Sequence, residues 1–361
     1  MKTVSQLPDD ALATFFTDPH LGANRVANTT PKSRMALRQA LYSQALACTE
    51  GTPPAFMLGD LFNSYSNSED VLLQGLEVTR KCKATMAGNH DVHASADAVG
   101  SFQALIEAAG SDGLCWAAFG TTEVKSYSLK GAEVFMVPHV TDQGLFEQAL
   151  RDAVALLKDP KANRAVLCLH CNYNLPWDTT DTALNLTEEA AQDLLNHFDY
   201  VLLGHDHHAK VEMDGRLIVL GNTHPTGFGD ISDKYRYALL PDGSMVRQPI
   251  WQKGQQYDEV DVGGRTAGIL HDWVRDNNAP QFIDIVGEVV ADEVVELNRT
   301  VNKLWAAGAL AIRNRVSVQG AEVEVSDTTL ITSLAQQVEA DLGDRPEQLA
   351  LWRQLSEPAS A

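Results

Sequence analysis

Cysteine is scarce and unpatterned in this chain. Five cysteines among 361 residues form no spaced framework, which argues against a disulfide-stapled scaffold and for a reducing compartment. Long apolar runs are also missing. No stretch of about 18 apolar residues occurs, so no membrane span is expected. The opening Met1–Asp10 lacks the apolar core of a signal peptide. Basic residues are in deficit: 28 Lys and Arg stand against 48 Asp and Glu, a formal net charge of −20. That balance disfavours loose attraction to nucleic acid or to an anionic membrane. It does not exclude a nucleic-acid substrate, because divalent cations supply local positive charge. The expectation is a cytoplasmic protein.

The chain has 44% hydrophobic residues, enough for two domains or one large domain with an appendage. Short apolar runs recur, and each ends in a polar cluster. Residues 11–17 end at Asp18-Pro19-His20, and Ala55–Leu58 ends at Gly59-Asp60. A third run near 84–87 ends at Gly88-Asn89-His90-Asp91, where Gly88 is expected to let the chain turn sharply. Ala165–Leu169 ends at His170, and Tyr200–Leu203 at Gly204-His205-Asp206-His207. A metal site built at the ends of several strands would leave this pattern.

Between these strands the spacing predicts helices. Thr30-Pro31 offers a hydroxyl cap and a first-turn proline for a helix reaching about Thr49, with Leu37, Leu41, Ala45 and Cys48 on one face. Further helices are expected over 68–81, 101–110, 143–158 and 188–197, the last capped by Thr187. Hairpins are expected over 122–138, around Asp214-Gly215 and around Pro241-Asp242-Gly243. After about residue 252 the pattern of strand followed by ligand stops. A helix at 265–277, a strand at 281–289, a helix at 292–308 and a strand at 310–318 are expected there. A stripe Leu330, Leu334, Val338, Leu342 and a short last helix follow.

Asp18 and His20 are two residues apart, as are His205 and His207. On extended backbone each pair would point one way and grip one ion. Asp60 can bridge two ions, and Asn89 and His170 complete a set of seven oxygen and imidazole donors without cysteine. That set suits manganese, iron, zinc or cobalt better than a thiolate zinc site. Two ions about 3.5–4 Å apart clamp a phosphate and provide a nucleophile at neutral pH. Cys168 and Cys171, three apart on a strand, should face opposite sides. His93, His139, His197, His208, His224 and His271 are not expected to be ligands, though His208 and His224 are placed at the cleft. Arg313 and Arg315 share a strand face where phosphates could meet them, with a solvated face the alternative.

Asp18-x-His20, Gly59-Asp60, Gly88-Asn89-His90-Asp91, His170 and Gly204-His205-x-His207 occur in the order seen in calcineurin-like metallophosphoesterases, which this chain resembles. Within that superfamily His20-Leu21-Gly22, Gly59-Asp60-Leu61-Phe62 and the glycine-rich Leu220–Asp230 stretch are similar to SbcD-type DNA repair and recombination nucleases, phage-encoded ones included. The resemblance implies an α/β fold: a four-layer α/β/β/α sandwich of two mixed sheets over residues 1–251. A small α+β capping domain would span 252–325, and C-terminal helices 326–361 that dock a partner would follow. It implies that Asp18, His20, Asp60 and His207 hold one metal, and Asp60, Asn89, His170 and His205 the other, most simply as Mn²⁺. His90 would act at the leaving oxygen, oriented by Asp91. Asn63 departs from relatives that carry histidine or aspartate there, and asparagine cannot shuttle a proton.

The implied activity is a metal-dependent DNA nuclease, 3′→5′ exonuclease and single-strand endonuclease. It would be dimeric and paired with an SMC-like coiled-coil ATPase. The alternative is a small-molecule phosphodiesterase or nucleotide phosphatase. Charge favours that alternative, since residues 251–361 hold nine Lys and Arg against eighteen Asp and Glu. A third reading, a metal-poor scaffold, would need neither the ligand set nor His90.

Overall fold

The computed structural model describes residues 1–23, 26–92, 95, 98–110, 112–157, 164–175, 184–262 and 279–319. Two large mixed sheets dominate it. The first has seven strands in the order Lys2–Thr3, Met245–Trp251, Lys234–Leu239, Ala13–Phe16, Ala55–Leu58, Ala84–Met86, Leu114–Cys115. The second has six, in the order Lys210–Glu212, Leu217–Val219, Tyr200–Gly204, Arg164–His170, Ala132–Val137, Lys125–Leu129. In each sheet the central strands run parallel.

Alternation along the strands builds four layers, because successive side chains leave a strand on opposite faces. Phe15, Phe56, Leu58, Val134, Met136, Val166 and Cys168 fill the space between the sheets. Their neighbours turn outward. Phe16 and Met57 meet the helices Pro31–Cys48, Glu69–Lys81 and Ser101–Ala109, while Phe135, Leu167 and Leu169 meet Gln143–Leu156 and Glu188–Leu194. Cys168 and Cys171 accordingly lie in different cores, both as free thiols. The result is the expected α/β/β/α sandwich.

Local chemistry fixes the helix starts. The Thr30 hydroxyl accepts from Ser33 N at 3.1 Å while Thr30 N donates to the Ser33 hydroxyl at 2.9 Å, a reciprocal cap before Pro31. Thr187 accepts from Ala190 N, as expected. The three expected hairpins form, and Asp214 (φ 55°) and Gly243 (φ +85°) supply the left-handed turns.

After Trp251 the chain forms a third, three-stranded parallel sheet, Tyr257–Asp261, Phe282–Val289 and Ala311–Val318. The helix Val294–Ala306 crosses over between its last two strands. Val260, Ile283, Ile285, Leu297, Leu304 and Ile312 form its core. Phe282, Leu310 and Ala311 pack with Leu37, Leu41 and Trp251, tying this module to the first helix of the sandwich. The helix expected at 265–277, the Leu330–Leu342 stripe and the C-terminal helices lie outside the described residues.

Candidate metal centre

Parallel strands present their carboxyl ends on one side, where α/β sheets bind ligands. Here two sheets do so together. Asp18, Asp60 and Asn89 follow strands of the first sheet; His170 ends a strand of the second and His205 follows the adjacent one, where Gly204 pairs with His170. The His170 ring is wedged among three glycines. A Cβ on Gly59 would come within 3.0 Å of three of its atoms, one on Gly88 would meet Asp60 and the ring, and one on Gly204 would meet Leu58 O and Thr17 Oγ1. Gly59 also needs φ +100°. Gly88, expected to serve a sharp turn, has no such φ; close approach is what requires it.

The expectation that extended backbone aligns Asp18 with His20 is corrected by their dihedrals. Asp18 (φ 54°), His20 (φ 47°), Asp60 (φ 49°) and His205 (φ 93°) all occupy the left-handed side. Such residues cost roughly 1–3 kcal/mol each and gather at functional sites. Strand alternation therefore does not orient the donors; the kinks do. His205 and His207 likewise do not share one ion's worth of space. Asp18, His20 and His207 form one cluster and Asp60, His170 and His205 another, with donor atoms in each within 4.8 Å of one another.

Asp60 joins the two clusters. Its Oδ2 lies 3.8 Å from His20 Nε2 and its Oδ1 3.4 Å from His170 Nε2. Asn89 Oδ1 sits 3.1 Å from His170 Nε2 and 2.9 Å from His205 Nδ1, so it belongs to the second cluster. His20 and His207 bring their Nε2 atoms to 2.8 Å, a separation that requires a proton or another cation between them.

The donors are arranged to expose lone pairs. His170 Nδ1 donates to Leu58 O at 2.8 Å, which leaves Nε2 for the centre. Asp18 Oδ2 accepts from His205 N at 3.1 Å, with the Thr17 hydroxyl beside it, while Oδ1 is buried without a hydrogen-bond partner, 3.8 Å from His20 Nε2. Burial pushes His20 down to about 3 and His205 to about 4, keeping both neutral. For His170 burial opposes charging, but Asp60 and Asp18 outweigh it and raise it to about 9. Burial likewise resists ionisation of Asp60, yet His170, His20 and His90 hold it far below the usual carboxylate range. An orphaned carboxylate oxygen, the neutral imidazoles of His20 and His205 and an ionised bridging carboxylate fit divalent cations, whose binding would displace the proton that Asp60 and Asp18 favour on His170.

The family model for calcineurin-like phosphoesterases matches residues 13–209, more than half of the chain. The chain belongs to that family. All seven expected metal donors fall inside the matched stretch. A search of curated proteins returns no match. Membership carries a metal-dependent hydrolase chemistry, and the two clusters are its candidate metal sites in this phosphoesterase.

His90 is exposed beside the clusters. Its ring stands edge-on to His20 at 5.1 Å, and its backbone N–H donates to Asp60 Oδ1 at 2.9 Å. Asp91 does not orient it, contrary to expectation. Asp91 is buried and spends both oxygens on backbone: Oδ1 accepts from Phe62 N at 2.9 Å, Oδ2 from Gly88 N at 2.9 Å and Leu61 N at 3.1 Å. It binds the Asp60 loop to the Asn89 loop. His90 Nδ1 instead meets the Asn63 carbonyl at 2.9 Å.

A groove of about 450 Å³ opens beside the second histidine pair, lined by Asn172, His205–His208, Thr226, Gly227, Gly229 and Asp230. His208 lines it. His224 does not: it is buried, and its Nε2 lies 3.0 Å from Gln281 Oε1, which also accepts from Trp251 Nε1. Arg313 and Arg315 are engaged within their own sheet. Both pair with the buried Asp284 on the neighbouring strand, Arg315 also with Glu259, and Arg313 stacks over Phe228 at 4.6 Å. The chain signal missed Asp230 and Lys234. Lys234 is buried and donates to His207 O at 2.9 Å; nothing in its sequence neighbourhood marks it.

Proposed function

We propose that this phosphoesterase hydrolyses phosphodiesters with two divalent ions, most simply Mn²⁺, and that DNA is its substrate. The observation that carries the reading is the Asp60 carboxylate, which faces both donor clusters at once. Asp18, His20, Asp60 and His207 would hold one ion; Asp60, Asn89, His170 and His205 the other. The ions when bound supply Lewis-acid polarisation of the phosphate and an activated water.

The chain's own groups do the rest. The Asn63 carbonyl can only accept, so His90 Nδ1 carries a hydrogen and Nε2 is the nitrogen that exchanges a proton with the leaving oxygen. The Asp60–His90 backbone bond sets the distance between that imidazole and the centre. Asp91 holds the two loops in register.

DNA as substrate rests on the likeness of His20–Gly22, Gly59–Phe62 and Leu220–Asp230 to SbcD-type nucleases. On the same ground the proposal includes a dimer, a coiled-coil ATPase partner, a capping role for residues 252–325 and a bacterial cytoplasmic or phage-encoded setting. Among the described residues no helix is long and apolar enough to cross a membrane. One observation favours the second reading, a small-molecule phosphodiesterase or nucleotide phosphatase. Among the described residues no Lys or Arg lines the groove, and nearby Lys210 is paired with Asp206 at 2.5 Å.

Hydrolysis with Mn²⁺ of a labelled duplex bearing a single-stranded end, beside bis-p-nitrophenyl phosphate, separates the two. Shortening of the DNA that disappears in Asp60→Ala and with EDTA supports the nuclease. Turnover of the small ester with intact DNA, also in the presence of the ATPase partner, contradicts it and favours the second reading.

A further inference from the structure

Asp230 lies outside the family match and has no role in the chemistry above. It is buried at 5% exposure and densely bonded. Its Oδ2 accepts from Asn222 Nδ2 at 2.7 Å, Thr226 N at 3.0 Å and the Thr226 hydroxyl at 3.1 Å; its Oδ1 accepts from Gly227 N at 3.1 Å. The same Oδ2 lies 3.2 Å from His207 Nδ1. The far nitrogen of that ring, Nε2, is the one that meets His20. The His207 carbonyl is held in turn by Lys234 Nζ. The turn that carries Asp230 is itself fixed from the third sheet, with Phe228 edge-on to Phe282 at 5.8 Å and beneath Arg313.

We infer that Asp230 is a positioning residue of the metal centre: it accepts the Nδ1 hydrogen of His207, fixes the tautomer with Nε2 bare, and aims that nitrogen at the Asp18–His20 cluster. A ligating histidine whose other nitrogen is bound to a carboxylate is a stronger and better-oriented donor, and losing that partner typically costs 10–100-fold in metal affinity. Asp230 thus sets the affinity of one cluster and leaves the Asp60–Asn89–His170–His205 cluster alone. The inference rests on the two-metal reading.

Mn²⁺ titration calorimetry of the full chain tests it, with Asp230→Asn as the variant and Thr226→Val as the control. Wild type should bind two ions. Asp230→Asn should weaken one of them by about 10–100-fold and keep the other. Thr226→Val, which keeps the carboxylate, should keep both affinities. Two ions with unchanged affinities in Asp230→Asn, or both weakened alike, overturn the inference and leave the two-metal reading standing. Fewer than two ions in wild type overturn that reading itself. Nitrogen-15 histidine NMR of the Zn²⁺-loaded wild type needs no variant to fold. It should show His207 protonated at Nδ1; a bare Nδ1 overturns the inference.

Discussion

His90 takes its orientation from a backbone carbonyl: its Nδ1 lies 2.9 Å from the oxygen of Asn63. A side-chain change at 63 leaves that carbonyl in place. Asn63→Ala should therefore retain hydrolysis within a few-fold, whereas His90→Ala should lose about 10²–10⁴-fold while keeping its metal content. Steady-state rates beside elemental analysis of both variants check this. Equal losses in the two would assign the orientation to the Asn63 side chain.

Asp91 accepts three backbone N–H groups from two loops, so its removal strands buried donors. Each unsatisfied donor costs about 1–3 kcal/mol. Asp91→Ala should lower stability by at least about that much in urea unfolding of the metal-free protein. A variant of unchanged stability and reduced rate would restore Asp91 to the catalytic role the resemblance implied.

Gly204 leaves no room for a Cβ between Leu58 O, Thr17 and His170. Gly204→Ala must displace one of them, and overpacking of this kind costs about 1–3 kcal/mol. Melting temperature and metal affinity should fall together, because the displaced groups hold the donors. Gly229→Ala, with open space around it, is the control and should change neither.

His139 is buried, and burial pushes it down to about 3 from the ordinary 6.5. The unfolded chain therefore takes up a proton that the folded chain refuses. The stability His139 contributes is complete above about pH 6.5 and is lost as pH falls from there toward 3. Charge on His170 pushes in the same direction, opposed by Asp60. His139→Leu should flatten the acid limb of metal-free stability over that window, as followed by denaturant midpoints at successive pH values. A limb of unchanged slope would contradict the assignment.

Much of the fold was legible because it is written in local periods. The short apolar runs Val134–Val137 and Ala165–Leu169 marked buried strands, and Thr30-Pro31 marked a helix start. Two-residue strands such as Lys2–Thr3 and Leu114–Cys115 hold no period and were not foreseen. The donors were legible as residue types after apolar runs. Their left-handed backbones were not, and neither was the reason for Gly88, since both depend on how two sheets converge on His170. The residues whose partners were not foreseen share one cause. Asp91 is claimed by Leu61 and Phe62, about thirty residues earlier; His224 by Gln281; Arg313 and Arg315 by Asp284 on the next strand. Each partner is distant in sequence, and charge or motif position alone does not name it.

The central claim is that Asp60 serves two ions. The direct measurement is electron paramagnetic resonance of the Mn²⁺-loaded chain together with its metal content. Two ions per chain with an exchange-coupled spectrum, and loss of that coupling in Asp60→Ala, is the predicted result. A single ion, or two ions whose uncoupled spectra are the same in wild type and Asp60→Ala, would contradict it.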